Sequence, residues 1–258
     1  MAHPLKEYSK IRETVTEAEW ATRVDLAAAY RLVHYYGWTD MIFTHLSARV
    51  PGPEDHFLIN PFGLLFDEIC ASNLVKIDVE GNIILDNGYR ANPAGFCIHS
   101  AIHMAREDAL SVMHLHTPDG VAVSSMKCGL LPLTQTAMTI CNEIAYHEYE
   151  GIALDLDERA RLIKDIGDKK LMILRNHGTL ATGSSIPECF MLLYNIERSC
   201  SMQVRAMTGG GELHLPSKQA MNTAAQQGAD LLNRGKLGSL AWPALLRMLD
   251  RMGSSYAD

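Results

Sequence analysis

Between Phe43 and Leu85 four short β-forming runs succeed one another, and two of their connections are too short for a parallel crossover. Phe43 to Val50 and His56 to Asn60 flank a Pro51-Gly52-Pro53 turn, and Val75 to Val79 and Ile83 to Leu85 flank Glu80-Gly81-Asn82. A parallel pair needs a dozen or more connecting residues, so both pairs must run antiparallel. Helical patterns surround them. Thr16-Glu17-Ala18-Glu19 reads as a capping box, with Glu19 reaching back to Thr16, opening a helix with Val24, Ala27, Ala28 and Leu32 on one face and stopping at Gly37. Asn92-Pro93 opens a second helix through Phe96, His99, Ala101, Ile102 and His103 to about Arg106. Leu110 to Thr117 reads as a strand, Gly120 to Met126 as a short helix, and Leu171 to Leu174 as a strand buried on both faces. Ser185-Ile186-Pro187-Glu188 caps a long helix ending before Gly209, Lys218 to Asn233 forms a last helix, and Arg247 to Asp258 reads as a loose tail. Strands and helices mix without regular βαβ alternation. The expected fold class is therefore α/β, a three-layer α/β/α domain with a largely antiparallel central sheet.

At 258 residues the chain is expected to form one domain, with its core over about 16–207 and a C-terminal helix and tail over 212–258. A net charge of −7 and the lack of a dense Lys/Arg block argue against nucleic acid and anionic membrane as partners, since a polyanion needs a positive face. No apolar stretch is long enough to span a bilayer, and residues 1–20 are polar and acidic with no hydrophobic leader segment. Six scattered cysteines form no C-x-x-C pair, so a reduced, cytoplasmic protein without disulfides is expected.

The chemistry-bearing residues are histidines. On a strand, positions i and i+2 face one side of the sheet, so His114 and His116 present two imidazoles side by side, about 7 Å apart at their Cα atoms. Two such rings can converge on one ion at roughly 2.0–2.1 Å. Asn176-His177-Gly178, directly after the buried run Leu171 to Leu174, offers a third, and Gly178 would let the backbone turn tightly and approach a ligand there. Alone, an H-x-H pair is more commonly one core histidine and one accidental neighbour. Three imidazoles with an open fourth position form a catalytic pattern for zinc and related ions.

Several motifs carry a resemblance in a consistent order. Thr44-His45-Leu46-Ser47-Ala48-Arg49 is similar to a G-N-x-S-x-R loop, and Asn60-Pro61-Phe62-Gly63 with Leu74-Val75-Lys76-Ile77-Asp78 is similar to T-P-x-G followed by D-L-V-x-x-D. His114-Leu115-His116 and Leu174-Arg175-Asn176-His177-Gly178 follow, sixty-one positions separating His116 from His177. Together these resemble the class II aldolase/adducin superfamily, from about Thr16 to Met207. The resemblance implies one divalent metal ion on His114, His116 and His177, expected to be Zn2+ with Fe2+, Mn2+ or Co2+ as alternatives. It also implies a substrate pocket lined by His45, Ser47, Asn60 and Gly63, and a homotetramer with sites near subunit interfaces.

The departures from the family's aldolases are equally informative. Where those have a proline-serine-serine-glutamate stretch, with the glutamate as fourth ligand and acid/base, this sequence resembles it with Asn92-Pro93-Ala94-Gly95. His45 replaces the asparagine of the phosphate loop and Asn60 the threonine of T-P-x-G. A phosphate needs several convergent hydroxyl and N–H donors, so a phosphorylated sugar is not the expected substrate. A three-histidine ion could instead chelate a small unphosphorylated hydroxy, keto or aromatic acid and stabilise an enolate, as a carbon–carbon lyase, an aldolase or decarboxylase. His99, sharing a helix face with His103, is the candidate for the missing acid/base, and Tyr146 is a second. The position aligned with the aldolase tyrosine is Thr136. His34, His56 and His147 read as surface or packing residues, and the helix from Pro187 to Met207 as core and subunit contact. Two other functions fit the resemblance: a non-haem Fe(II) oxygenase, and a non-catalytic adducin-like interaction module, whose heads depart from the metal histidines.

Overall fold

The computed structural model describes residues 11–52, 55–151, 157–235 and 237–258. Helices α1 (Ile11–Thr14) and α2 (Glu17–Tyr35) lead into β1 (His45–Arg49), β2 (His56–Ile59), β3 (Val75–Asp78) and β4 (Ile83–Leu85). Then come α3 (Pro93–Ala105), β5 (Ser111–Leu115), α4 (Pro118–Ser124), α5 (Gln135–Ile140), β6 (Ile144–His147) and α6 (Glu158–Ile166). Strands β7 (Leu171–Leu174) and β8 (Gly178–Gly183) precede α7 (Ile186–Thr208), α8 (Lys218–Asn233) and α9 (Ala241–Arg251). The strands form one sheet in the order β4-β3-β2-β1-β5-β8-β7-β6, antiparallel throughout except for the parallel β6–β7 pair. The expected α/β layering with a largely antiparallel sheet is what the chain adopts.

Strand parity divides the sheet into two faces. Leu46, Ala48, Met113, Leu115, Leu171, Ile173 and Ala181 pack toward α2, α7 and α9, in one core with Leu26, Leu32, Phe190 and Leu193. Val112, Met172, Leu174 and Leu180 face the other way, in a second core with Ile98, Ala101 and Ile102 of α3 and Leu162 and Ile166 of α6. His45, Ser47 and His114 alternate with members of the first core, so their side chains enter the α3 side. β1 and β5 are paired there with His45 directly opposite His114.

Two local expectations are corrected. Thr16 does cap α2, its hydroxyl accepting from Glu19 N at 3.1 Å. The Glu19 carboxylate does not reach back, because it is claimed by Arg23 at 3.0 Å, a buried cation that needs a counter-charge, and by the half-buried Lys76 at 2.8 Å. The C-terminal stretch is not a loose tail. α9 covers Ala241–Arg251, and Trp242, Leu249 and Tyr256 join the main core. Trp242 Nε1 donates to Asp25 at 3.0 Å, and the Tyr256 and Asp258 carbonyls accept from Ala71 and Ser72 N at 2.9 Å each. All six cysteines are free thiols. No helix among the described residues is long and apolar enough to cross a membrane.

Candidate metal centre

Three histidine rings meet at the end of β5. The ring centroids of His114, His116 and His177 stand 4.6, 4.7 and 4.8 Å apart in pairs. One ligand atom from each lies within 4.8 Å of the other two. β5 supplies the first two by its period of two, and the β7–β8 turn supplies the third.

That turn works differently from the sequence expectation. The residue in the left-handed region is Asn176, at φ 56°, a conformation its short polar side chain tolerates. Gly178 serves a close approach instead. A Cβ there would stand 2.2 Å from the Leu115 carbonyl oxygen and 3.2 Å from His116 Cδ2, so only glycine lets β8 pass this near β5.

Hydrogen bonds on the outer nitrogens fix how the first two rings present themselves. His114 Nδ1 lies 2.9 Å from the Thr179 carbonyl, an acceptor only, and therefore carries the proton. His116 Nδ1 lies 3.0 Å from the Asp40 carboxylate and donates to it. When both rings are neutral their Nε2 atoms carry lone pairs, and these face each other at 2.8 Å. Two lone pairs at that distance repel unless a cation lies between them, and a carboxylate or carbonyl behind each ring is the usual support of a metal-bound imidazole. The donor set fits a divalent ion of the zinc type, with three nitrogen ligands and an open position. Burial and the neighbouring imidazoles push the His114 pKa far down, and burial with His116 and then His147 brings His177 to about 4, so both rings are neutral at pH 7.

Two supports were not foreseen from sequence. Asp40 follows the Gly37 turn with no spacing relation to the histidines, and Met41 beside it holds a positive φ of 48°. Glu197 of α7 is buried and accepts from the hydroxyls of Thr117 and Thr179, the residue after His116 and the residue whose carbonyl holds His114. Burial raises its pKa to about 7. Its only sequence signal is an acidic residue within an otherwise apolar helix face.

Behind the trio lies a second histidine cluster. His45 Nδ1 is 2.8 Å from His99 Nε2, His99 Nδ1 is 2.5 Å from Ser47 Oγ, and Ser47 Oγ is 2.8 Å from His103 Nε2. His103 Nδ1 reaches the Ala109 carbonyl at 3.2 Å. This corrects two sequence expectations. His99 is fully buried with both nitrogens engaged, so it cannot meet substrate directly as acid/base. Ser47 is also fully buried, its hydroxyl held between two rings, and does not line a pocket. His45 is the member next to the trio, its ring centroid 5.2 Å from that of His114. Asn60 is buried beside Tyr30, whose hydroxyl accepts from Leu46 N at 2.7 Å and Asn60 N at 3.2 Å and so ties β1 to β2. Gly63 lies in an exposed turn at φ 103°.

Tyr146 is placed elsewhere than expected. It lies on β6, its hydroxyl accepting from Leu130 N at 3.1 Å and its ring 4.3 Å beneath the Arg175 guanidinium. The tyrosine in ring contact with the trio is Tyr149, 6.4 Å from His177 and more than half exposed. His147, expected as surface or packing, is buried between Asp165 at 2.7 Å and Glu158 at 3.4 Å.

The profile described as "Class II Aldolase and Adducin N-terminal domain" matches residues 24–204. The chain belongs to the class II aldolase and adducin family. Within this family it is 54% identical over 248 residues to a Caulobacter vibrioides protein named "Putative aldolase class 2 protein", covering 96% of each chain. It is 42% identical to rat alpha-adducin over 92% of this chain, a match spanning 34% of that longer protein. Among solved structures, an L-fuculose 1-phosphate aldolase from Glaciozyma antarctica superposes with a TM-score of 0.80, at 27% identity and 92% coverage of both chains. Two of the departures from the family's aldolase pattern occupy one space. A Cβ at Gly95 would fall 2.6 Å from His45 Cδ2 and 3.0 Å from Nε2, so the His45 ring fits only because position 95 has no side chain.

Proposed function

We propose that this class II aldolase family member is a divalent-metal-dependent carbon–carbon lyase, an aldolase or decarboxylase, acting on a small unphosphorylated hydroxy, keto or aromatic acid. The observation that carries this reading is the pair of anchored rings, His114 on the Thr179 carbonyl and His116 on Asp40, whose remaining lone pairs converge with His177 nearby. When bound, the ion, zinc in this proposal, supplies Lewis acidity that polarises substrate oxygens and stabilises negative charge left on carbon as a bond breaks. His114, His116 and His177 hold it; Thr179 and Asp40 keep those rings in the ligating tautomer. His45, itself buried over Gly95 and beside His114, is the inner-cluster ring assigned to the substrate side in this reading. Tyr149 stands at the exposed rim beside His177, placed to contact substrate entering from solvent. A homotetramer with sites near subunit contacts belongs to the same proposal, and sedimentation velocity would measure it.

Elemental analysis of the purified protein tests the reading. About one zinc per chain is expected, with His116→Ala lowering it to trace while the circular dichroism spectrum is unchanged. Iron with substrate-dependent O₂ uptake would replace the lyase by an oxygenase. A second reading, a non-catalytic interaction module, is favoured by the alpha-adducin match. Wild-type protein without divalent metal above trace would select it.

A further inference from the structure

The cluster behind the metal centre admits one assignment of hydrogens. The Ala109 carbonyl can only accept, so His103 Nδ1 carries the proton. His103 is neutral, its pKa lowered to about 3 by burial, and its Nε2 therefore accepts from the Ser47 hydroxyl. Having donated to His103, Ser47 Oγ accepts from His99 Nδ1. His99 Nε2 then accepts from His45 Nδ1. Burial holds His99 neutral as well. The order is forced from the far end, and it leaves His45 Nε2 as a bare lone pair with no hydrogen-bond partner among the described residues. That edge of the ring lies over Gly95, beside His114, yet His45 is not among the three residues whose ligand atoms cluster.

We propose that His45 is the specificity-determining hydrogen-bond acceptor of this site: its Nε2, locked through His99, Ser47 and His103 and seated over Gly95, receives a hydrogen bond from a substrate hydroxyl and repels a phosphate. A phosphate dianion brings acceptors only and would face the lone pair unpaired, whereas a hydroxyl brings the donor it needs. Ser47, His99 and His103 are positioning residues: they never touch substrate and act by fixing which nitrogen of His45 is bare. The inference deepens the lyase reading and rests on it for the ion, while the lock itself needs no ion.

Two measurements separate these dependencies. In metal-free protein labelled with 15N-histidine, multiple-bond NMR reports which nitrogen of each ring is protonated, with His45→Gln assigning the His45 signals. The expected result is His45 protonated at Nδ1 and bare at Nε2, becoming a mixture in His103→Phe. A proton on His45 Nε2 in the wild type overturns the inference whether or not metal binds. In zinc-loaded protein, calorimetry compares acetohydroxamate, glycolohydroxamate and phosphoglycolohydroxamate, which offer the same chelating group with no hydroxyl, one hydroxyl and a phosphate. Glycolohydroxamate is expected to bind about tenfold more tightly than either of the others, the worth of one neutral hydrogen bond. His45→Phe and Gly95→Ala should bring the three within about twofold of one another. Equal binding in the wild type, or preference for the phosphorylated probe, overturns the proposal. Absence of zinc with the His45 tautomer intact counts against the lyase reading and leaves the lock standing.

Discussion

The two histidine clusters are built from the same side chain, one at the end of β5 and the β7–β8 turn and the other between β1 and α3, yet they do opposite things with their nitrogens. In the trio, His114 and His116 each turn the outer nitrogen to an oxygen acceptor, and their Nε2 atoms meet at 2.8 Å. In the inner cluster every nitrogen but one is consumed by the next group, and the chain ends on a backbone carbonyl. Imidazoles become metal ligands or structural links according to what stands behind them, not according to their spacing. His45 sits between the two kinds, linked on one nitrogen and bare on the other.

The comparison breaks most visibly if the wrong cluster controls metal. His114→Ala is expected to reduce zinc affinity by at least about a thousandfold, beyond the ten- to hundredfold typical of losing an outer support, whereas His99→Leu should leave one zinc per chain. Loss of zinc in both would erase the distinction, and dialysis against a competing chelator reads it directly.

Acid should destabilise the metal-free chain through the buried histidines of both clusters. A buried histidine with a depressed pKa stays neutral in the folded chain while its unfolded counterpart protonates, so stability is complete above about pH 6.5 and falls as pH drops toward the folded value. For His103 that window runs from about 6.5 down to about 3. His103 is expected to cost about 2 kcal/mol between pH 7 and pH 5. Urea midpoints of the metal-free protein should therefore fall across this range, and His103→Phe should flatten the slope. An unchanged slope would mean that the ring is hydrated or already charged.

Gly178→Ala tests the junction that brings His177 to β5. The added carbon would stand 2.2 Å from the Leu115 carbonyl oxygen, so the two strands must part. A loss of about 1–3 kcal/mol, the usual cost of overpacking, should appear in thermal melts, together with weaker metal binding. The smallest expected effect is that of Asp40→Asn. The amide can still accept from His116 Nδ1 but without charge, and metal affinity should weaken by about ten- to a hundredfold with little change in melting temperature.

Much of this was legible in the sequence because it follows from short-range rules. The four early strands, the caps at Thr16 and Ser185 and the i, i+2 placement of His114 and His116 need only local pattern. β8 escaped because Gly178–Gly183 reads Gly-Thr-Leu-Ala-Thr-Gly, with neither alternation nor a bulky apolar run. Its six positions are all buried because it lies mid-sheet between β5 and β7, and small side chains suit a strand covered on both faces. β6 escaped for the opposite reason: Ile144–His147 lies at the sheet edge, and Tyr146 and His147 are followed at once by exposed polar residues. In the site, the roles of Asp40, Glu197, His99 and Ser47 depend on residues far away in the chain, so no spacing rule could assign them.

The shared space of His45 and Gly95 constrains the order in which such a site can change by mutation. Any side chain introduced at position 95 first would collide with a ring already pinned from behind. Replacing His45 first merely empties a volume that the second change can then fill. An evolutionary route from this pocket to one with a carboxylate at position 95 is therefore open in one direction of travel and closed in the other, and libraries that randomise position 95 alone will return mostly damaged proteins.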